Sequence, residues 1–474
     1  MEMSDILQSV SPSDPSDVVG RFAAADDAAV AAAVARACAS FPAWRDAGSD
    51  ARTAVLERFA RIASARVEEL TLLIAREVGK ARWDAESEAR LVAPKIAVTL
   101  GDGMKLVEPL APAPGQRATY RPRGVLAVYG PFNFPAHLPN GHIAPALATG
   151  NTVVFKPSEI APAVGAWMAE RWRDAGMPDG VLEVVQGGPD TGRALARADV
   201  DGILFTGSYA TGRALLEATL DAPQKILALE LGGSNAIIVC ADADLDLAVT
   251  EAAISIAATT GQRCTAARRI FVERPVREPF QEKLAAVLRG LRVGAPLEPG
   301  VFMGPLASLA AHARLEQMRG LAAAAGGERV LTVDPGRPPP YTGAGLVRFE
   351  ATAQRHPYQR EEIFGPEAAL YPVDDLDEAI AAVNDSDYGL AASVITCSRA
   401  KYERCIGRIR TGVLNWNKGT VGASGRLPFG GSGKSGNDRP AGVTATLYCT
   451  APQAHLESEA GFAPSALPPG MPRP

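Results

Sequence analysis

From residue 26 to about 104, apolar residues return at three- and four-residue intervals through DDAAVAAAVARACASFPAW and ARTAVLERFARIASARVEELTLLIAREVG. That period suits helices that bury one stripe against a sheet, so the segment predicts amphipathic helices. Asp26–Asp27 and Ser49–Asp50 stand where such helices need N-caps. The stretch 109–124, PLAPAPGQRATYRPRG, breaks the period; it is Pro-rich with a strand-like end and predicts an extended excursion. Short apolar runs then alternate with helical patterns. GVLAVYG, NTVVFKP, LEVVQGG, GILFTG and KILALEL read as strands; HLPNGHIAPALAT, APAVGAWMAERWRDAG, TGRALARA and ATGRALLEATL between them read as helices. Alternation at this spacing predicts parallel βαβ units in a doubly wound sheet. A second alternating region opens near 234 with NAIIVC and LDLAVTEAAISIAATTG. It continues through RRIFVER, VREPFQEKLAAVLRGL, AALYPVD and DLDEAIAAVNDS. The predicted fold class is therefore α/β, with two doubly wound parallel-sheet domains. Beyond about 456 the chain turns Pro- and Gly-rich and reads as a loosely attached tail over 457–474.

Composition narrows the class without naming a function. A chain of 474 residues exceeds one hydrophobic core, which agrees with two large domains. The net charge is −5 with both signs mixed, so nothing points to nucleic acid or an anionic membrane surface. No run approaches the ~20 apolar residues that a bilayer-spanning helix needs. The opening MEMSDILQSVSPSDPSD lacks the basic and apolar regions of a secretory signal. Six cysteines are scattered without CxxC pairs and five histidines form no ligand cluster, so neither a disulfide framework nor a metal is expected. A reducing cytoplasm fits, and it keeps a reactive thiol usable.

The candidate chemistry begins at Cys264 in GQRCTAARR and Glu230 in LELGGSNA. A thiol and a separate carboxylate suggest covalent catalysis with a general base. Arg263, Arg268 and Arg269 read as an electropositive setting that would stabilise a thiolate. Taken alone, Cys264 is as readily a small buried hydrophobe, and Asn133 a turn residue before Phe-Pro. FTGSYATG (205–212) follows an apolar strand and opens a helix. There Gly207 permits close backbone approach, and the helix-start N–H groups with the Ser208 hydroxyl suit a pyrophosphate. Gly212 completes a G-x-x-x-x-G spacing, which by itself equally describes a simple strand-to-helix turn. FKPSE ends another strand and sets Lys156 and Glu159 three residues apart, in reach of ribose hydroxyls.

Seven motifs then act together: GPFNFP (130–135), FKPSE (155–159), FTGS (205–208), LELGG (229–233), GQRC (261–264), EEIFGP (361–366) and PFGGSGKSG (428–436). In this order and spacing the chain resembles the aldehyde dehydrogenase superfamily from about residue 10 to about 455. The resemblance implies that Cys264 attacks an aldehyde, with Asn133 and the Cys264 N–H holding the oxyanion, and that Glu230 activates water against the thioester. It implies NAD as cofactor, with Lys156 and Glu159 at the adenosine ribose, Ser208 at the pyrophosphate, Glu362 at the nicotinamide ribose and Phe364 beside the nicotinamide. A carboxylate at Glu159 favours NAD over NADP by repelling a 2′-phosphate.

The resemblance also divides the chain. Residues 1–103 and 124–233 would form the NAD-binding domain and 234–442 the catalytic domain. Segments 104–123 and 443–456 would form a small β extension pairing across a two-fold axis, in a homodimer or dimer of dimers. Within the superfamily, YGPFNFPAHLPNGHIAPAL, QKILALELGG and GQRCTAARR are most similar to succinylglutamate semialdehyde dehydrogenases of bacterial arginine catabolism. Their substrate carries carboxylates, for which Arg263, Lys418 and Arg426 are the candidate cations. AGVTATLYC without an expected tyrosine pair, GGSNA and Lys434 depart from that branch, leaving another acidic semialdehyde as an alternative substrate. A Cys/Glu thioesterase-type hydrolase would use Cys264 and Glu230 but leave FKPSE, FTGS and EEIFGP without a purpose.

Overall fold

The structure is a computed structural model that describes residues 6–458 and 467–472; part of the tail expected over 457–474 lies outside the described residues. Five short apolar runs form the first sheet: β1 (Val125–Tyr129), β2 (Thr152–Lys156), β3 (Leu182–Val184), β4 (Gly202–Thr206) and β5 (Ile226–Glu230). Their spatial order is β3-β2-β1-β4-β5 and every pair is parallel. β1, β2 and β4 are buried along their whole length, which explains continuous apolar runs in place of alternation. Helices Asp27–Asp46, Ser49–Ala65, Val67–Val78 and Arg82–Val98 supply the Ala-rich N-terminal region. Asp26 caps the first of these, accepting from the Ala29 N–H at 2.8 Å. Ser49 is not a cap: Gly48, at φ +83°, takes that position and Ser49 is the first helical residue.

The second sheet contains β6 (Asn235–Val239), β7 (Ala267–Glu273), β8 (Glu328–Thr332), β9 (Gly345–Arg348), β10 (Glu367–Val373), β11 (Ala391–Ile395) and β12 (Val413–Trp416), in the order β8-β9-β10-β7-β6-β11-β12. It is parallel except at one edge, where β8 runs antiparallel to β9. Helices Leu245–Ala257 and Arg277–Gly290 cover one face, and Leu309–Gly320 and Leu376–Asn384 the other.

A third, antiparallel sheet joins Leu110–Ala113, Gln116–Pro122 and Thr450–Leu456. Here two expectations are corrected. The β extension expected over 443–456 gives way at its start to a helical turn, Ala445–Cys449, with the strand beginning only at Thr450. The two segments also pair within one chain, from Thr450↔Pro122 to Leu456↔Gln116, so this ladder is complete without a second subunit.

In the first sheet the strand order reverses between β1 and β4. Chains leaving these two strands diverge to opposite sides and open a crevice at the carboxyl ends. The second sheet stands across that crevice.

Candidate active site

A cavity of about 880 Å³ occupies the crevice. Its lining includes Asn133, Lys156, Glu159, Gly207, Ser208, Glu230, Cys264, Glu362 and Phe364. Nine of the ten expected site residues thus meet in one space. Gly212 is the exception. It faces Leu231, whose Cδ2 would stand 2.6 Å from a Cβ at that position, so this glycine serves close packing of the helix on the end of β5.

The two ends of the cavity differ in chemistry. At one end β4 passes through Gly207 into helix Tyr209–Ala218, capped by the Ser208 hydroxyl, which accepts from the Thr211 N–H at 3.2 Å. The start of helix Pro189–Arg197 opens on the same space through Gly188 and Gly192. Two helix N-termini facing one cavity favour an anion there. Lys156 ends β2; burial lowers its pKa and Glu159, 3.6 Å away, opposes that effect.

At the other end stand the reactive groups. Glu230 is the last residue of β5 and is 5 % exposed. Its Oε1 accepts from the Ala441 N–H at 3.2 Å, while Oε2 is buried without a partner among the described residues. Burial raises its pKa well above the usual carboxylate range. The close approach of 428–441 needs Gly430, where a Cβ would lie 3.1 Å from Glu230 Oε1. Asn133 follows β1 and donates from Nδ2 to the Gln262 carbonyl at 2.9 Å. A side-chain amide nitrogen carries two hydrogens, so a second donor remains. Glu362 accepts from the Gly233 N–H at 3.0 Å. Phe364 is held at φ +53° with its ring edge-on to Phe132, and such backbone positions cluster at working sites.

Cys264 departs from expectation. Its thiol is pushed up to about 12, by burial first, then by Glu362 and Glu230, with Arg263 opposing. The three arginines do not make an electropositive pocket, because each is engaged elsewhere. Arg268 donates to the Gly261 carbonyl at 2.6 Å, and Arg269 to the Ser234 carbonyl at 2.7 Å. Arg263 pairs with Asp84 at 2.6 Å. The same pairing corrects the reading of Arg263 as a substrate-binding cation. Lys418 and Arg426 remain exposed, Arg426 with only a 3.4 Å contact to Asp102.

Two residues that hold the site were not singled out from sequence. Asn235 donates to the Cys264 carbonyl at 2.7 Å and the Ala266 carbonyl at 2.8 Å, and accepts from the Ala391 N–H at 3.0 Å. The GGSNA string contained it, but its partners lie far along the chain. Asp84 sits on a helix with no motif to mark it.

Comparison with known proteins agrees with this geometry. The model of a family described as "Aldehyde dehydrogenase family" matches residues 2–454. An N-succinylglutamate 5-semialdehyde dehydrogenase of Cronobacter sakazakii is 44% identical over 460 residues, covering 94% of this chain and 92% of that protein. Among solved structures, a putative aldehyde dehydrogenase from Burkholderia cenocepacia superposes with a TM-score of 0.90 at 33% identity, covering 96% of each chain. A 1-pyrroline-5-carboxylate dehydrogenase from Thermus with bound NAD gives 0.90 at 30% identity, covering 96% of this chain and 90% of that one.

Proposed function

Because the chain belongs to the aldehyde dehydrogenase family, we propose that it oxidises N-succinylglutamate 5-semialdehyde to N-succinylglutamate with NAD. The observation that carries this reading is the meeting of Cys264, Asn133, Glu230 and Glu362 on one cavity with the Lys156–Glu159 pair. The cavity fits a dinucleotide: two helix N-termini face it, and the half-exposed Glu159 carboxylate leaves an acceptor for a ribose hydroxyl. Lys156 and Glu159 would hold the adenosine ribose, Ser208 the pyrophosphate, Glu362 the nicotinamide ribose and Phe364 the nicotinamide. When bound, NAD supplies the acceptor for the hydride.

Cys264 Sγ bonds to the aldehyde carbon as its proton passes to solvent; burial raises the Glu230 carboxyl well above the usual range, which makes its ionised form the stronger base for the later step. The carbonyl oxygen takes up negative charge between the free Asn133 N–H and the Cys264 backbone N–H; one such donor is worth about 2.7–4 kcal/mol. Loss of hydride leaves a thioester on Cys264. Glu230 Oε2, with no partner among the described residues, then takes a proton from water as the water oxygen attacks. The C–S bond breaks, the acid leaves and the thiol recovers the proton. Of the cations considered for the substrate carboxylates, Lys418 and Arg426 stay exposed, and neither is among the residues lining the cavity. The enzyme acts in the cytoplasm as a homodimer or dimer of dimers.

A panel of semialdehydes assayed by the absorbance of reduced NAD tests the substrate. N-succinylglutamate 5-semialdehyde should give the highest kcat/KM; a higher value for an uncharged aldehyde would refute the choice. Glu230→Gln separates the half-reactions. It should release one equivalent of reduced NAD in the first turnover and then stall acylated, whereas continued turnover at the parent rate would remove Glu230 from deacylation.

A further inference from the structure

The turn that presents Cys264 is built from unfavourable backbone. Thr259 and Thr260 lie at φ +56° and +52°, followed by Gly261 at +68°. β-Branched residues adopt the left-handed region only where their surroundings hold them there. The holder comes from helix Arg82–Val98. Asp84, 1 % exposed, accepts the Thr259 hydroxyl on Oδ2 at 2.6 Å and the Arg263 guanidinium on Oδ1 at 2.6 Å. Arg263 Nε in turn donates to Thr259 Oγ1 at 2.8 Å, closing a ring of three side chains. One turn further along the helix, Glu88 accepts from Lys80 Nζ at 2.6 Å and from the N–H groups of Ala136 and His137, just beyond Asn133. The Phe134 ring lies between the two bases, 3.6 Å from Lys80 Nζ and 4.9 Å from the Arg263 guanidinium carbon. Two acids on one helix face thus hold both the nucleophile turn and the segment carrying the oxyanion donor.

We propose that Asp84 is a positioning residue for Cys264: it clamps the strained turn and cancels the Arg263 charge beside the thiol. This rests on Cys264 being the nucleophile. The charged groups that act on Cys264 are Glu230 from the end of β5, Glu362 from the 361–366 loop and Arg263 from its own turn. Asp84 and Lys80 stand behind Arg263. Burial would raise the Asp84 carboxyl, but Lys80, Arg263 and the Thr259 hydroxyl hold it below its usual value, so it stays charged. With the pair intact, burial, Glu362 and Glu230 outweigh Arg263 at the thiol, which stays protonated at rest. The pair's two halves therefore act on the thiol with opposite sign.

The test is the pH profile of Cys264 alkylation by iodoacetamide, located by mass spectrometry, in full-length protein without cofactor. Asp84→Asn exposes the cation and should move the profile to lower pH by about one unit; Arg263→Gln exposes the acid and should move it to higher pH by a similar amount. Both should lose about tenfold or more in kcat, with NAD affinity by fluorescence titration close to the parent's. Arg263→Lys keeps the charge and should restore the parent profile while kcat stays low. Shifts in the same direction, or none, overturn the proposal. Should Asp84→Asn not fold, Arg263→Gln decides alone: an unchanged or acid-shifted profile is fatal. Cys264→Ala separates this from the parent reading, since retained aldehyde oxidation would remove the nucleophile itself whatever the profiles show.

Discussion

At Glu362 burial raises the carboxyl to about 7, against the lowering effects of the Gly233 N–H and Arg268. A ribose hydroxyl donates to a carboxylate better than to the protonated acid. NAD affinity should therefore fall as pH drops through 7 and hold above it, while Glu362→Gln should bind weakly and without that pH dependence. Titrating NAD by protein fluorescence between pH 6 and 8 checks this (the range brackets about 7); a flat parent curve would refute it. The residues that meet in the cavity were legible as candidates because each lies inside a short motif. Their electrostatic setting was not. Arg263, Arg268 and Arg269 adjoin Cys264 in the chain, yet one answers to Asp84 and the others to backbone carbonyls. Charge counts near a cysteine do not disclose such partners.

At the scale of elements, period and turn chemistry carried most of the reading. β1 through β6 fall within the expected apolar runs, and β7 begins one residue before its own. Where the reading failed, local preference lost to context. ATLYC has β-branched and aromatic residues, yet it closes a helical turn with Ala445, Tyr448 and Cys449 in the core. The edge strand β8, ERVLT, carries two charges and a half-exposed pattern, so no apolar run announced it. Asn235 shows how one side chain ties elements together, since it links β6, the nucleophile turn and β11. Asn235→Ala would leave two carbonyls and one N–H without partners. It should cost about 3 kcal/mol, read by urea denaturation, together with a fall in kcat. A loss of about 1 kcal/mol or less would mean that water replaces the amide.

For the whole molecule, among the described residues the third sheet leaves the outer edge of Thr450–Leu456 unpaired, with Leu456 88 % exposed and Leu110, on the opposite edge strand, 56 % exposed. Bare edges of this kind invite another strand, and closed two-fold pairing is the usual outcome. Light scattering should give at least twice the chain mass, and Leu456→Asp should shift the distribution toward monomer; a fully active monomer at micromolar concentration would refute the assembly.

The crevice between the two large sheets has a consequence for how the protein fails. Asn133 and Glu230 hang from one sheet, Cys264 and Glu362 from beyond it, so turnover gauges the alignment of two separately built bodies. A displacement of about 1 Å can cost a hundredfold in rate while breaking no secondary structure. In rising urea, activity should therefore vanish before the far-ultraviolet circular dichroism changes. If the two transitions coincide, the sheets come apart and unfold as one, and the gap between them is as firm as either core.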